Sequence, residues 1–292
     1  MSFKAQTLPL SFMQDFKPER MLIAKLLAFV RDDGSGDKHY ISNQTGIPTG
    51  QSSGKVEPMI YYATGMGLIE SRKKGNEWQL TLTDLGNVVL REDPFLSERV
   101  SLWLLHLMLC RPLAEDSSKQ VGVVPPWYNL FIEGVTRMGA SFSAEDYLAF
   151  MRECFGDSSN RKGMVNLILK SYIEDSCLGL TRALRVSLSG NEEIYARNPA
   201  PKDIEFYPAY TAYLILLWEQ LYPEREQLQL DEFFQRAGVL IALNWSQNDA
   251  KTWLDWAADH GILQLDRQTG QTLALRTASL TVVLASIYSE LV

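Results

Sequence analysis

A chain of 292 residues with 46% hydrophobic content is globular and long enough for about two domains, which excludes a disordered or low-complexity protein. Its three cysteines, Cys110, Cys154 and Cys177, are odd in number and widely spaced, which argues against a disulfide framework or a zinc site and for buried thiols in a reducing compartment. The net charge of −7 excludes a uniformly basic nucleic-acid binder, yet residues 1–92 hold 11 Lys/Arg against 10 Asp/Glu while residues 93–292 hold 17 against 25.

Residues 1–18 read as an extended lead-in, with Leu8, Leu10 and Phe12 alternating as in a half-buried strand. Pro18 opens a helix whose apolar stripe runs through Met21, Leu22, Leu26, Ala28, Phe29 and Val30 to about Arg31. Asp32 to Gly36 is a loop by composition. A short helix follows from Tyr40, stopped by Gly46 and Pro48, and Thr49 to Gly54 is a turn. The next helix runs from Lys55 to Thr64. Pro58 is tolerated there because its missing N–H lies in the first turn, and Gly65 or Gly67 ends it. Arg72 to Glu77 and the alternating Trp78, Leu80 and Leu82 form a two-stranded ribbon, and Asp84 to Leu90 returns to helix. Residues 19–90 thus predict a winged helix-turn-helix.

Residues 95–205 predict helices near 95–110, 126–138, 143–154 and 160–175. A small hairpin follows, from Arg185 to Leu188 and Glu193 to Ala196, turning at Ser189-Gly190-Asn191. Asn198-Pro199-Ala200-Pro201 is a linker signal. From Pro208 the opening pattern recurs as helices Tyr210–Tyr222, Leu230–Val239 and Gln247–Asp259. Aligned on their glycines, Met66-Gly67-Leu68-Ile69 matches His260-Gly261-Ile262-Leu263, each followed by a hairpin. The second hairpin turns at Asp266 to Gly270 and carries only Arg267 and Arg276. It predicts a structural or protein-contact module rather than a DNA reader.

The expected fold is therefore mainly α (α+β), divided at 1–92, 93–205 and 206–292. The three parts are an N-terminal winged helix-turn-helix, a helical middle region and a C-terminal winged-helix-like unit. The longest apolar run, Val100 to Cys110, falls short of the roughly 20 residues that span a bilayer, and no signal-peptide form opens the chain. A soluble cytoplasmic protein is expected.

Residues at the start of the third helix, Gln51, Ser52, Ser53 and Lys55, are placed to meet phosphates or base edges. Tyr61, Tyr62 and Thr64 are expected on its exposed face, although Glu57 there would repel phosphates. Arg72, Lys73 and Lys74 at the wing tip are placed to straddle a phosphate backbone or enter a minor groove. Winged helices also act purely as protein-interaction modules, and that reading stands beside the first. A weaker basic group, Arg161-Lys162, Lys170, Arg182 and Arg185, reads as ordinary helix-surface charge. His106 sits in an apolar helix and reads as a hydrogen-bonded core histidine. Trp253 and Trp256 share a helix face and read, with Trp245, as core.

The sequence holds no phosphate-binding loop, nucleophile elbow or metal-ligand spacing. The acidic pairs Glu115-Asp116 and Glu192-Glu193 read as solvated turns. A non-enzymatic protein without cofactor or metal is expected.

Several segments together resemble a bacterial family of unknown function. They are Leu10 to Arg20, Gly54-Lys55, Leu102-Trp103-Leu104-Leu105-His106 and Leu265-Asp266-Arg267-Gln268-Thr269-Gly270. Met13-Gln14-Asp15 departs from the His- or Gln-rich turn usual at that point. Members of the family accompany sulfotransferase-like, PAPS-reductase-related proteins of DNA phosphorothioation and phage-defence islands. The resemblance implies a DNA-associated accessory or regulatory component, with double-stranded DNA and a protein of the same system as partners. The acidic remainder would dock that partner or mediate self-association.

Overall fold

Three stretches of the chain build the same run of elements, a helix, a three-residue strand, two or more helices and a hairpin. The computed structural model describes residues 7–51, 53–113, 122–267 and 271–291. In the first unit α1 (Arg20–Asp32) leads to β1 (Ser35–Asp37), α2 (Lys38–Thr45), α3 (Val56–Gly65), β2 (Ile69–Lys74) and β3 (Glu77–Leu82). Helices α4 (Asp84–Glu92) and α5 (Arg99–Cys110) follow. The second unit opens on α6 (Pro125–Tyr128), which passes through a π-helical turn at Asn129–Glu133 into α7 (Gly134–Met138). It continues with β4 (Ser141–Ser143), α8 (Ala144–Phe155), α9 (Arg161–Ser171), β5 (Leu184–Ser189) and β6 (Glu192–Arg197). The third is α10 (Tyr207–Leu221), β7 (Gln227–Gln229), α11 (Leu230–Ala237), α12 (Val239–Leu243), α13 (Gln247–Asp259), β8 (Leu263–Asp266) and β9 (Leu273–Arg276), closed by α14 (Leu280–Ala285).

Sheet topology makes the repetition explicit, since the orders β1-β3-β2, β4-β6-β5 and β7-β9-β8 are one pattern written three times. In each, the short strand pairs antiparallel with the second strand of the hairpin, leaving the first hairpin strand at an edge. The fold is α+β and mainly helical, about 52% helix with small antiparallel sheets. The middle region is thus not only helical. Its hairpin joins Ser141–Ser143 in a sheet of its own.

Smaller expectations change, among them the helix expected over Leu230–Val239, which Gly238 in the left-handed region breaks into α11 and α12. Asp32 to Gly36 is not all loop, because Gly34, at φ +75°, turns the chain so that Ser35–Asp37 pairs with β3. The Gly34 carbonyl accepts from Leu80 N at 2.6 Å, and a Cβ on Gly34 would lie 2.4 Å from the Leu80 oxygen. The lead-in forms turns between residues 10 and 15 instead of a strand, although Leu8 and Phe12 are buried as their alternation suggested.

One continuous core runs through all three units. Its centre is α5, buried from Val100 to Cys110, beside α10, buried from Tyr207 to Trp218. Both are apolar on every side, the signature of a helix enclosed by others. Each fully buried Leu or Val in them contributes on the order of 1.5–3 kcal/mol, so these helices bind the units into one body. Some polar groups in this interior find partners, while Trp103 Nε1, His106 Nε2 and Tyr213 Oη have none among the described residues. His106 Nδ1 lies 2.6 Å from Tyr172 Oη, Ser101 Oγ lies 2.8 Å from Tyr288 Oη, and Trp253 Nε1 donates to Thr211 Oγ1 at 2.8 Å. Burial pushes the His106 imidazole down to about 3. His106, Trp245, Trp253 and Trp256 are all core, as their patterns indicated.

The Asn198–Pro201 segment is held in place rather than free. Ala200 N donates to Leu243 O, and Trp245 Nε1 donates to Ala200 O. Cys110 and Cys177 are buried, whereas Cys154 is exposed, contrary to expectation. No helix of the described residues is long and apolar enough to cross a membrane. Ser52, Glu115-Asp116 and Gln268-Thr269-Gly270 lie outside the described residues.

Candidate nucleic-acid interface

The exposed helix of the first unit is α2. Ile41 is its single buried residue, while His39, Tyr40, Asn43 and Gln44 face solvent. Its start is set by Asp37, whose carboxylate accepts from Tyr40 N at 2.7 Å and His39 N at 2.9 Å. Those bonds, Tyr40 foremost, hold the Asp37 carboxyl below its usual range. Its end is Gly46 in the left-handed region, where glycine costs least.

Helix α3 is different, because none of its residues is exposed. Tyr62, expected on an outer face, is wholly buried. Its ring packs edge-on against Phe12 at 5.0 Å and Trp127 at 5.8 Å, and its hydroxyl donates to Phe16 O at 2.9 Å. Gly65 allows the middle unit to approach, since a Cβ there would lie 2.8 Å from Val124 Cγ2. The partly exposed stripe, Glu57, Tyr61 and Thr64, is overlaid by the hairpin. Lys73 Nζ lies 2.5 Å from Glu57 Oε1, Trp78 meets Tyr61 edge-on at 5.5 Å, and Thr64 Oγ1 donates to Ser71 Oγ at 2.9 Å. Covered on both sides, α3 has no face left to enter a groove.

Strand alternation separates the three basic wing residues. Lys73 stands opposite Trp78 on the inner face, whereas Arg72 opposite Gln79 and Lys74 opposite Glu77 share the outer face. Lys73 lies over the Trp78 ring at 5.0 Å. Lys55 is likewise engaged, 2.6 Å from Glu19 Oε1 and 5.9 Å from the Phe16 ring. All three wing residues are exposed to solvent, but only Arg72 and Lys74 face away from α3. Gln51 and Ser53 are also exposed in the turn, which Gly50 N closes on Ser53 O at 2.7 Å. Lys38 Nζ donates to Gln51 O at 2.8 Å, so the turn is tied to the start of α2.

Between the α2 start and the hairpin tip lies a groove of about 300 Å³, lined by Asp37, Lys38, His39, Glu57, Lys73 and Asn76. Reading by motif missed Lys38, His39, Asn43, Gln44 and Asn76. The available signal was composition: a helix with one buried apolar residue must turn its remaining polar face to water, while Val56 to Ala63 is too apolar to face it. This surface mixes cations, amides and carboxylates. Exposed Arg72 and Lys74 suit phosphate oxygens, and exposed Asn43 and Gln44 suit base edges or phosphates.

Elsewhere basic groups are mostly engaged. In the third hairpin Arg267 lies 2.7 Å from Asp255 and Arg276 lies 2.7 Å from Glu219. In the middle unit Arg161 is buried and donates to the Phe155 and Gly156 carbonyls, Lys162 pairs with Glu145 at 3.2 Å, and Arg182 pairs with Asp175 at 3.5 Å. Lys170 and Arg185 are exposed. Glu192 and Glu193 stand in the solvated hairpin tip. Among the described residues no group of three or more His, Cys, Asp or Glu side chains is arranged to hold a metal ion.

The sequence matches no family model and no curated protein. Among the solved structures that share the fold are two of SspB. A magnesium ion-bound SspB crystal structure superposes with a TM-score of 0.70 at 18% identity, covering 99% of this chain and 89% of that one. An SspB crystal structure superposes with a TM-score of 0.68 at 19% identity, with the same coverage, 99% and 89%.

Proposed function

We propose that the chain contacts duplex DNA through its first unit, a winged helix-turn-helix, as a component of a bacterial DNA-modification or defence system. The observation that carries this is the groove in which the start of α2 (Lys38, His39) meets the hairpin tip (Lys73, Asn76), with the exposed turn residue Gln51 tied to Lys38 beside it. Contact differs from the expected mode. Helix α3 stays internal, α2 lies along the duplex, and Arg72 and Lys74 reach the phosphates from the outer face of the wing. The placement in such a system rests on the family resemblance, and the full-length likeness to SspB is consistent with it.

Electrostatic attraction is modest in this arrangement, because Glu57 and Glu77 stand beside the basic side chains. Affinity should therefore be low and should weaken with salt, the logarithm of the binding constant falling by roughly 0.9 per phosphate neutralised for each decade of salt. The test is fluorescence anisotropy of a labelled random duplex at ~50 mM and ~200 mM salt. Wild type is set beside Arg72→Ala/Lys74→Ala and Asn43→Ala/Gln44→Ala. Binding that weakens with salt and falls in both variants supports the interface. Absence of binding at low salt overturns it for the isolated chain.

A second reading is favoured by one feature, the absence of any exposed residue on α3 together with the ion-paired state of Lys55 and Lys73. In it the units form a scaffold that recruits a partner enzyme without touching DNA. Such a scaffold shows no salt-dependent duplex binding and associates with a protein encoded beside it.

A further inference from the structure

Each of the three sheets leaves the first hairpin strand at an edge, and edges with open N–H and C=O groups invite pairing with another strand. Two of the three are blunted. Strand β2 carries Glu70, Arg72, Lys73 and Lys74, and the four-residue β8 ends in Asp266 with Gln264 outward. Strand β5, Leu-Arg-Val-Ser-Leu-Ser, is not. Its six residues include one charge, and Arg185 to Ser189 are all exposed. Val186 is 40% and Leu188 76% accessible, the latter the most exposed large apolar side chain of the described residues.

We propose that β5 is a dimerisation edge whose occupant is β5 of a second copy of this chain, paired antiparallel about Ser187. The register follows from self-complementarity. With Ser187 opposite Ser187, Val186 of each copy meets Leu188 of the other on one face of the joined sheet. On the other face Arg185 lies opposite Ser189 of the second copy, and beyond Ser189 on β6 stands Glu192. Arg185 reaches across a serine to a carboxylate, twice by symmetry. The two three-stranded sheets become one of six strands, and the interface is isologous, as a two-fold axis requires. The contact is one strand wide, well below the area of obligate dimers, so the association is weak and concentration-dependent.

Sedimentation velocity of the full chain between about 1 and 200 μM, a range that brackets micromolar dissociation constants, reads the equilibrium directly. Wild type is expected to shift from monomer to dimer across it. Leu188→Lys should raise the dissociation constant by more than about tenfold. Arg185→Glu should do likewise, and Arg185→Glu with Glu192→Arg should restore dimerisation. A monomer at every concentration overturns the proposal, as does a dimer indifferent to Leu188→Lys.

The register has its own test, made in a Cys154→Ser background that removes the exposed thiol. Ser187→Cys should cross-link under mild oxidation, because residues facing each other across the axis have Cα atoms about 4.5–5.5 Å apart, within disulfide range. Arg185→Cys should not, since in this register the two copies of that position lie roughly 13 Å apart along the strand. Cross-linking through position 185 but not 187 overturns the register. Both measurements use surface positions, and an unchanged melting temperature certifies the fold of each variant.

Discussion

Lys73 is held between Glu57, whose Oε1 lies 2.5 Å from its Nζ, and the indole of Trp78, 5.0 Å away. Three adjacent basic residues at a wing tip therefore do not act as one patch, because the middle one is neutralised on the inner face while its neighbours look outward.

This relationship separates the contributions to DNA binding by sign. Lys73→Ala should change duplex affinity little, whereas Arg72→Ala/Lys74→Ala should weaken it and flatten the salt dependence by roughly 0.9 for each phosphate no longer neutralised. Glu57→Gln should strengthen binding about fivefold at low salt, since it releases Lys73 and removes a repulsive charge worth on the order of 1 kcal/mol. Anisotropy titrations of the four proteins decide it, and a weaker Glu57→Gln complex would sink the assignment.

Tyr62 should behave as a core residue. Tyr62→Phe loses the hydrogen bond to Phe16 O, for about 1 kcal/mol. Tyr62→Ala opens a cavity beside Phe12 and Trp127, for about 3–5 kcal/mol. Urea denaturation measures both. If Tyr62→Phe kept full stability but lost duplex binding, α3 would be a reading surface after all.

His106 predicts an acid sensitivity. Burial lowers its folded-state pKa to about 3 from an ordinary 6.5, so the unfolded chain takes up a proton that the folded chain refuses. Its contribution is fully present above pH ~6.5 and is lost as pH falls toward 3, at up to about 1.4 kcal/mol per pH unit. The difference in unfolding free energy between wild type and His106→Gln, followed from pH 7 to 4.5, should therefore narrow on acidification. A constant difference would place a charged or solvated imidazole at this site.

Arg111 ties the units together. The guanidinium is buried and donates to the Gly65 carbonyl at the end of α3, to the Met108 carbonyl of α5 and to Gln220 of α10. Burial lowers its pKa only to about 10, so it stays charged at neutral pH. Arg111→Ala leaves the Gly65 and Met108 carbonyls buried without this donor and should cost at least about 3 kcal/mol, with the first and third units loosened together. Hydrogen exchange of α3 and α10 amides would report that coupling, and loss of protection in only one helix would contradict it.

Local chemistry made much of the fold legible in the sequence. Glycine and proline punctuation, period-2 alternation in Trp78-Gln79-Leu80-Thr81-Leu82 and the enclosed apolar run at Val100–Cys110 each act within a few residues, and the structure places elements there. The middle unit was readable as helices and a hairpin but not as a sheet. Its third strand is the three residues Ser141–Ser143, too short to show a period, and it pairs with residues about fifty positions later.

The candidate site was less legible for the same reason. By itself the sequence determined most of the longer helices and the hairpins, where charge concentrates and which residues can donate to a phosphate. Only the tertiary structure decided which face of each element meets water. It buried Tyr62 under Phe12 and Trp127, turned Lys73 inward to Glu57, and left the polar side of α2 and the edge of β5 uncovered. Helix and strand formation obeys near-neighbour spacing, whereas exposure depends on what distant parts of the chain pack against a surface, and no local pattern records that.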